Sequence, residues 1–180
     1  DLALVLPADP GLGRVELLID ADVDLELVVE IHDMSKPQNY VPHTEIRTFR
    51  VAVTAGAKQW VELDIDHHPD QAGNVFCVIR AAEGLRIWTA TEALPGTECF
   101  RRRELPPEAE WSEQFREWKQ TLHGSGPVLR FVDESEIYAA RHVIGGYARP
   151  YGGPNLWSSA ELTADPTPEL IIEWDEPRTL

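Results

Sequence analysis

The sequence predicts an all-β chain, an antiparallel sandwich or jelly roll with one linking amphipathic helix. Three observations carry this: period-2 alternation over the first hundred residues, turn residues between the alternating runs, and a single 3.6-period stripe after them. In the clearest run, Leu25, Leu27, Val29 and Ile31 alternate with Glu26, Glu30 and His32, the pattern of a strand with one face in a core. Phe49, Val51 and Val53 repeat it, as do Val61, Leu63 and Ile65 interleaved with Glu62 and Asp64. Asn74–Arg80 and Leu85–Thr89 make two further strands, with Glu83-Gly84 as a tight turn between them.

Turn chemistry separates the runs at Pro10-Gly11, Ser35-Lys36-Pro37, Ala55-Gly56 and His68-Pro69-Asp70. Short strands so spaced, with no helical pattern between them, belong to antiparallel sandwiches. Pro95-Gly96 closes the region, and residues 1–104 form the expected β-sandwich domain. A linking helix is expected within 105–126. Pro106-Pro107 and the acidic residues Glu108 and Glu110 suit a helix start. Trp111, Phe115, Trp118 and Leu122 recur at i, i+4, i+7 and i+11 as one apolar stripe, ended by Gly124, Gly126 and Pro127. That stripe must pack on something, and cementing the sandwich to the next domain is its expected use. Residues 127–180 form the third unit, with a short strand at Val128–Val132, a Gly/Pro-dense stretch from Ile144 to Ser159, and a strand at Glu169–Trp174.

Charge narrows the function classes. Thirty-one acidic residues against 16 basic ones leave a formal charge of −15, which repels phosphate backbones and argues against nucleic acid as partner. The one basic run, Arg101-Arg102-Arg103, lies among acidic neighbours and reads as a solvated linker or salt-bridge set. No run approaches 18 apolar residues, so no membrane partner is expected. The opening Asp1–Pro7 has neither the basic leader nor the cleavage site of a signal peptide, and the missing initiator Met is expected of a trimmed or excised chain. Cys77 and Cys99 stand at neither a metal spacing nor a disulfide-framework spacing, so pairing between them stays open.

Candidate chemistry is sparse. Gly11-Leu12-Gly13-Arg14 begins like a dinucleotide fingerprint, but position 16 is Glu and no helical pattern follows. Asp20, Asp22 and Asp24 imitate the start of a calcium loop, yet Leu25 and Ile31 stand where Gly and Glu are needed. Asp64, Asp66, His67, His68 and Asp70 form the densest set of metal-ligand types, and the favoured reading is a polar hairpin turn. Gly124-Ser125-Gly126 follows a helical pattern where a nucleophile elbow must follow a strand. No catalytic residue, metal ligand or cofactor site is therefore assigned. Binding is the better case. Tyr147, Arg149, Tyr151, Asn155 and Trp157 gather aromatic faces and planar polar groups within one short segment, the combination that grips a sugar. The bland alternative makes Trp157 a core plug and Arg149 a clamp on loop carbonyls.

The last residues carry a resemblance. Gly145-Gly146-Tyr147, Trp157-Ser158-Ser159, Leu170–Trp174 and Glu176-Pro177-Arg178-Thr179-Leu180 resemble the opening of a discoidin domain, the coagulation-factor type C domain of the galactose-binding-like fold. The stretch Arg149–Trp157 looks like the C-terminal accessory region of a family of large bacterial FAD-dependent oxidoreductases. The resemblance implies a partial discoidin-like β-sandwich over residues 127–180, too short to complete the fold. It implies a non-catalytic accessory region partnered by an upstream catalytic domain or by its own chain continuation, with FAD held in the parent protein. A carbohydrate-binding module and a purely structural scaffold are the alternatives.

Overall fold

The computed structural model describes residues 1–8, 11–34, 41–68, 73–92, 94, 96–103, 117–121 and 125–132. Among them the chain is all-β, with no helix. Twelve strands form: β1 (Leu2–Ala8), β2 (Leu12–Ala21), β3 (Leu25–His32), β4 (Glu45–Val53), β5 (Gly56–His67), β6 (Gly73–Ile79), β7 (Leu85–Ile87), β8 (Thr89–Ala90), β9 (Glu98–Arg102), β10 (Trp118–Gln120), β11 (Gly126–Pro127) and β12 (Leu129–Phe131). Every pairing is antiparallel.

The larger sheet runs β10-β9-β1-β6-β3-β4, and the smaller runs β12-β2-β5 with β7 also on β2. Strands β12 and β7 share one edge of β2 end to end, at Val15–Leu17 and Ile19–Ala21. Between them three backbone bonds close a ring: Leu18 N donates to Val128 O, Val128 N to Trp88 O, and Trp88 N to Leu18 O. The strand expected at Val128–Val132 thus exists, and it adds to the sheet of β2.

Alternation explains the core. Val15, Leu17 and Ile19 of β2 and Val61, Leu63 and Ile65 of β5 face Leu4, Leu6, Leu27, Val29, Ile31, Cys77 and Ile79 of the larger sheet in one buried cluster. Each large aliphatic side chain so buried contributes about 1.5–3 kcal/mol. The polar phase of the same strands, Glu62 and Asp64 among them, points to solvent.

Strands β1 and β6 depart from this rule because both their faces are apolar. On the outer face Ala3, Val5, Phe76, Val78 and Phe100 make a second buried cluster, with Met34 and Trp118 packed against it. Phe76 and Phe100 meet edge to face, centroids 6.2 Å apart. The continuous run Val75–Ile79 is the signature of a strand covered on both sides.

The expected helix over 105–126 is corrected at Trp118. Residues Trp118–Gln120 are extended and pair with Arg102–Phe100 of β9. Ladder bonds and the docking of Trp118 on the outer cluster outweigh a weak local helical preference. Trp111, Phe115 and Leu122 lie outside the described residues. The Glu83-Gly84 turn is present, with Gly84 at φ +78° and Leu85 N bonded to Ala82 O. It does not close a hairpin, because β6 lies in the larger sheet and β7 in the smaller.

Candidate functional site

The outer face of the smaller sheet carries the exposed aromatic groups. In the β5 alternation Val61, Leu63 and Ile65 point inward, so Trp60 points out. It stands opposite Leu18 of β2. On the other side of β2 the register Ile19↔Ile87, continued by the Trp88 N to Leu18 O bond, sets Trp88 against the same leucine. Trp60, Leu18 and Trp88 therefore form one rank across β5, β2 and the residue that follows β7. Each tryptophan is 38% exposed, and two inter-strand steps separate their backbones by roughly 10 Å.

Charged side chains fix both rings. The Arg130 guanidinium lies 4.3 Å from the Trp60 ring centre and pairs with Glu16. The Lys58 ammonium lies 5.0 Å from the Trp88 ring, each a cation–π contact. Asp20 Oδ1 accepts from Trp88 Nε1 at 2.9 Å and from Lys58 N at 2.7 Å. Lys58 sits at φ +50° beside a register shift in the β2–β5 ladder, so one carboxylate oxygen holds both the irregular backbone and the indole. Those two N–H donors, Trp88 first, hold the Asp20 carboxyl below its ordinary range, against a smaller contrary effect of burial. The ranks beside the aromatic row are Glu62, Glu16 and Arg130 on one side and Lys58, Asp20 and Arg86 on the other. Three cations balance three carboxylates there. The two ranks together carry no net charge on a protein of charge −15.

The three aspartates that imitate a calcium loop are each taken by protein donors. Asp20 holds Trp88 and Lys58, Asp22 receives both Arg86 Nη1 and Nη2 at 2.7 Å, and Asp24 accepts Ala55 N at 2.7 Å. Among the described residues of the His-rich turn after β5, His68 Nε2 lies 3.1 Å from Asp66 Oδ1. Asp64 lies one rank away opposite Arg14, His67 is paired with Leu12, and Asp70 is outside the described residues. Among the described residues, the metal-type triad that does converge is Glu30, His32 and Glu45, with donor atoms within 4.8 Å of one another.

Among the described residues Glu30 is the one buried charged residue, 7% exposed, on the outer side of β3. Arg80 Nε donates to its Oε1 at 2.6 Å, and His32 Nε2 lies 3.0 Å from its Oε2. Arg80 and Arg102 share the Asp1 carboxylate at 2.7 and 3.0 Å, and Arg102 continues to Glu117. Burial alone would raise the Glu30 carboxyl, but the bonds from Arg80 and His32 outweigh it and the net direction is down.

A cavity of about 530 Å³ opens where β1, β6 and β9 face β7, β8 and β11. Leu2, Ile79, Leu85 and Ile87 give it apolar walls, and Arg101 lines it. The hydroxyl of Thr121, also in its wall, is already committed to the carbonyls of Cys99 and Ser125.

The proposed sugar contacts Tyr147, Arg149, Tyr151, Asn155 and Trp157 lie outside the described residues. The same chemistry occurs at Trp60 and Trp88, which the sequence reading passed over. The signal was a tryptophan in the polar phase of an alternating strand. No protein-family model matches the chain, and neither curated proteins nor solved structures show a match to it.

Proposed function

We propose that this chain is a non-catalytic accessory module whose smaller sheet presents a binding face for an uncharged glycan. The carrying observation is the rank Trp60–Leu18–Trp88, two part-exposed indoles on either side of β2, flanked by charged ranks of opposite net sign. Sugar C–H surfaces stack on aromatic rings, and carboxylates and guanidinium groups in fixed positions take the hydroxyls. A rigid sheet spends little conformational entropy on such a contact.

A glycan array followed by calorimetric titration tests this. The hit should weaken tenfold or more in Trp60→Ala and in Trp88→Ala, with an unchanged far-UV spectrum. Absence of any hit, or equal affinity in both variants, sinks the reading and leaves a structural scaffold.

The setting we infer for the module is a larger FAD-dependent oxidoreductase, with FAD in an upstream catalytic domain. Its support is the likeness of Arg149–Trp157. A parent reading frame without an upstream strand–Gly-x-Gly-x-x-Gly–helix segment would remove it.

A further inference from the structure

We propose that Glu30, His32 and Glu45 form a binding site for a divalent transition ion, zinc by the chemistry of its donors, on the outer face of the larger sheet at the β3–β4 edge. The placement is backbone-determined. Ile31 points into the sandwich core, so Glu30 and His32 point out. The register shift between Ile31 and His32 sets His32 opposite Glu45 of β4, and the three donor atoms fall within 4.8 Å of one another.

Hydrogen bonding around the triad favours an ion over a simple contact. His32 Nδ1 lies 3.2 Å from the His43 carbonyl, an acceptor only, so Nδ1 carries a proton. That is the outer partner a metal-bound histidine uses to orient its ring. In the neutral ring Nε2 then presents a lone pair to Glu30 Oε2 at 3.0 Å, two acceptors face to face. Either a second ring proton, which makes this contact the hydrogen bond that lowers Glu30, or a cation between the two atoms satisfies the pair. A second ring proton would meet the need of that pair alone and leaves no role for the convergent Glu45. An ion uses all three donors. With bonds of about 2.0–2.1 Å, neighbouring ligand atoms of a tetrahedral zinc stand roughly 3.3 Å apart; His32 Nε2 and Glu30 Oε2 are 3.0 Å apart, and the whole triad lies within 4.8 Å. Arg80 and Thr48 hold the remaining oxygens, on Glu30 Oε1 and Glu45 Oε1 at 2.6 Å each. One histidine and two carboxylates leave a fourth position to water.

Calorimetry with zinc chloride and visible absorption with cobalt(II) chloride test the site on the full chain. One ion per chain is expected, with cobalt bands of a four-coordinate site. Glu45→Gln, on an exposed edge strand, should weaken uptake at least tenfold without changing the fold, and His32→Asn should abolish it. The double variant His67→Asn/His68→Asn should bind as the parent does. No saturable uptake, or uptake lost in the His67/His68 variant and retained in Glu45→Gln, overturns the assignment. Glycan affinity is measured on the same samples, so failure here and failure of the aromatic face are read separately.

Discussion

The indole N–H of Trp88 and the backbone N–H of Lys58 converge on one oxygen of Asp20, at 2.9 and 2.7 Å. Both donors favour the ionised carboxyl and hold it below the ordinary range. A carboxyl depressed in the folded state contributes stability that is fully present above its unfolded value, about 3.9. That contribution fades as pH falls through the folded value. Urea midpoints of the parent and Asp20→Asn should therefore differ by a constant amount from pH 7 to 5 and converge below about pH 4. An equal difference at pH 3 and pH 7 would show that the carboxylate charge is not what holds the indole.

The two thiols flank a single residue. Leu4 of β1 pairs with Cys77 on one side and Cys99 on the other. Two inter-strand steps put their backbones about 9.5 Å apart, beyond the roughly 7 Å that a disulfide spans. Both cysteines are free and buried, and burial pushes Cys77 up to about 12 and Cys99 up to about 11. Thiolate is scarce at neutral pH in both cases. Native protein at pH 7.4 should resist iodoacetamide and take up two labels per chain in urea. Rapid native labelling, or a bridged peptide in a non-reducing digest, would contradict the strand order.

Period-2 alternation was sufficient to place Leu25–Ile31 and Val61–Ile65 on strands and to select their buried faces. It names a face and not a neighbour, which is why the pairing of Leu4 with both cysteines, and hence the state of the thiols, was not legible. The same limit hid the aromatic row, since Trp60 and Trp88 become neighbours of Leu18 only through ladders between distant segments. Trp118 shares a helical period with Trp111 and Phe115, while the ladder that places it on β9 joins segments the local pattern cannot relate. Glu30 carried no sign of burial either. It occupies the polar phase of β3, and its partner Arg80 comes from the end of another strand.

Arg80 is the principal counter-charge of that buried carboxylate. Removing it leaves Glu30 with His32 alone on the protein side, in a site where the carboxylate is one-tenth exposed. Breaking a buried pair from one side costs about 3–5 kcal/mol. Because the Arg80 side chain is 36% exposed, about 2–3 kcal/mol is expected after solvent screening. Arg80→Ala should lower the urea midpoint by that amount, and Glu30→Gln placed in the same chain should recover part of it. An Arg80→Ala protein as stable as the parent would mean that water solvates Glu30.

The outer faces of the two sheets differ in kind, and substitution should separate them. Phe76 is fully buried on the outer face of the larger sheet against Phe100. Phe76→Ala should destabilise by about 3–5 kcal/mol, combining lost transfer energy with the cavity left behind. Trp60 is the larger side chain, yet it lies part-exposed on the smaller sheet beneath Arg130. Its removal forfeits a surface cation–π contact of about 0.5–1 kcal/mol and little buried area, so Trp60→Ala should cost about 1 kcal/mol. Chemical denaturation of the two variants measures both. If Trp60→Ala were as damaging as Phe76→Ala, the tryptophan would be a core residue and the aromatic row would lose its claim to be a ligand platform.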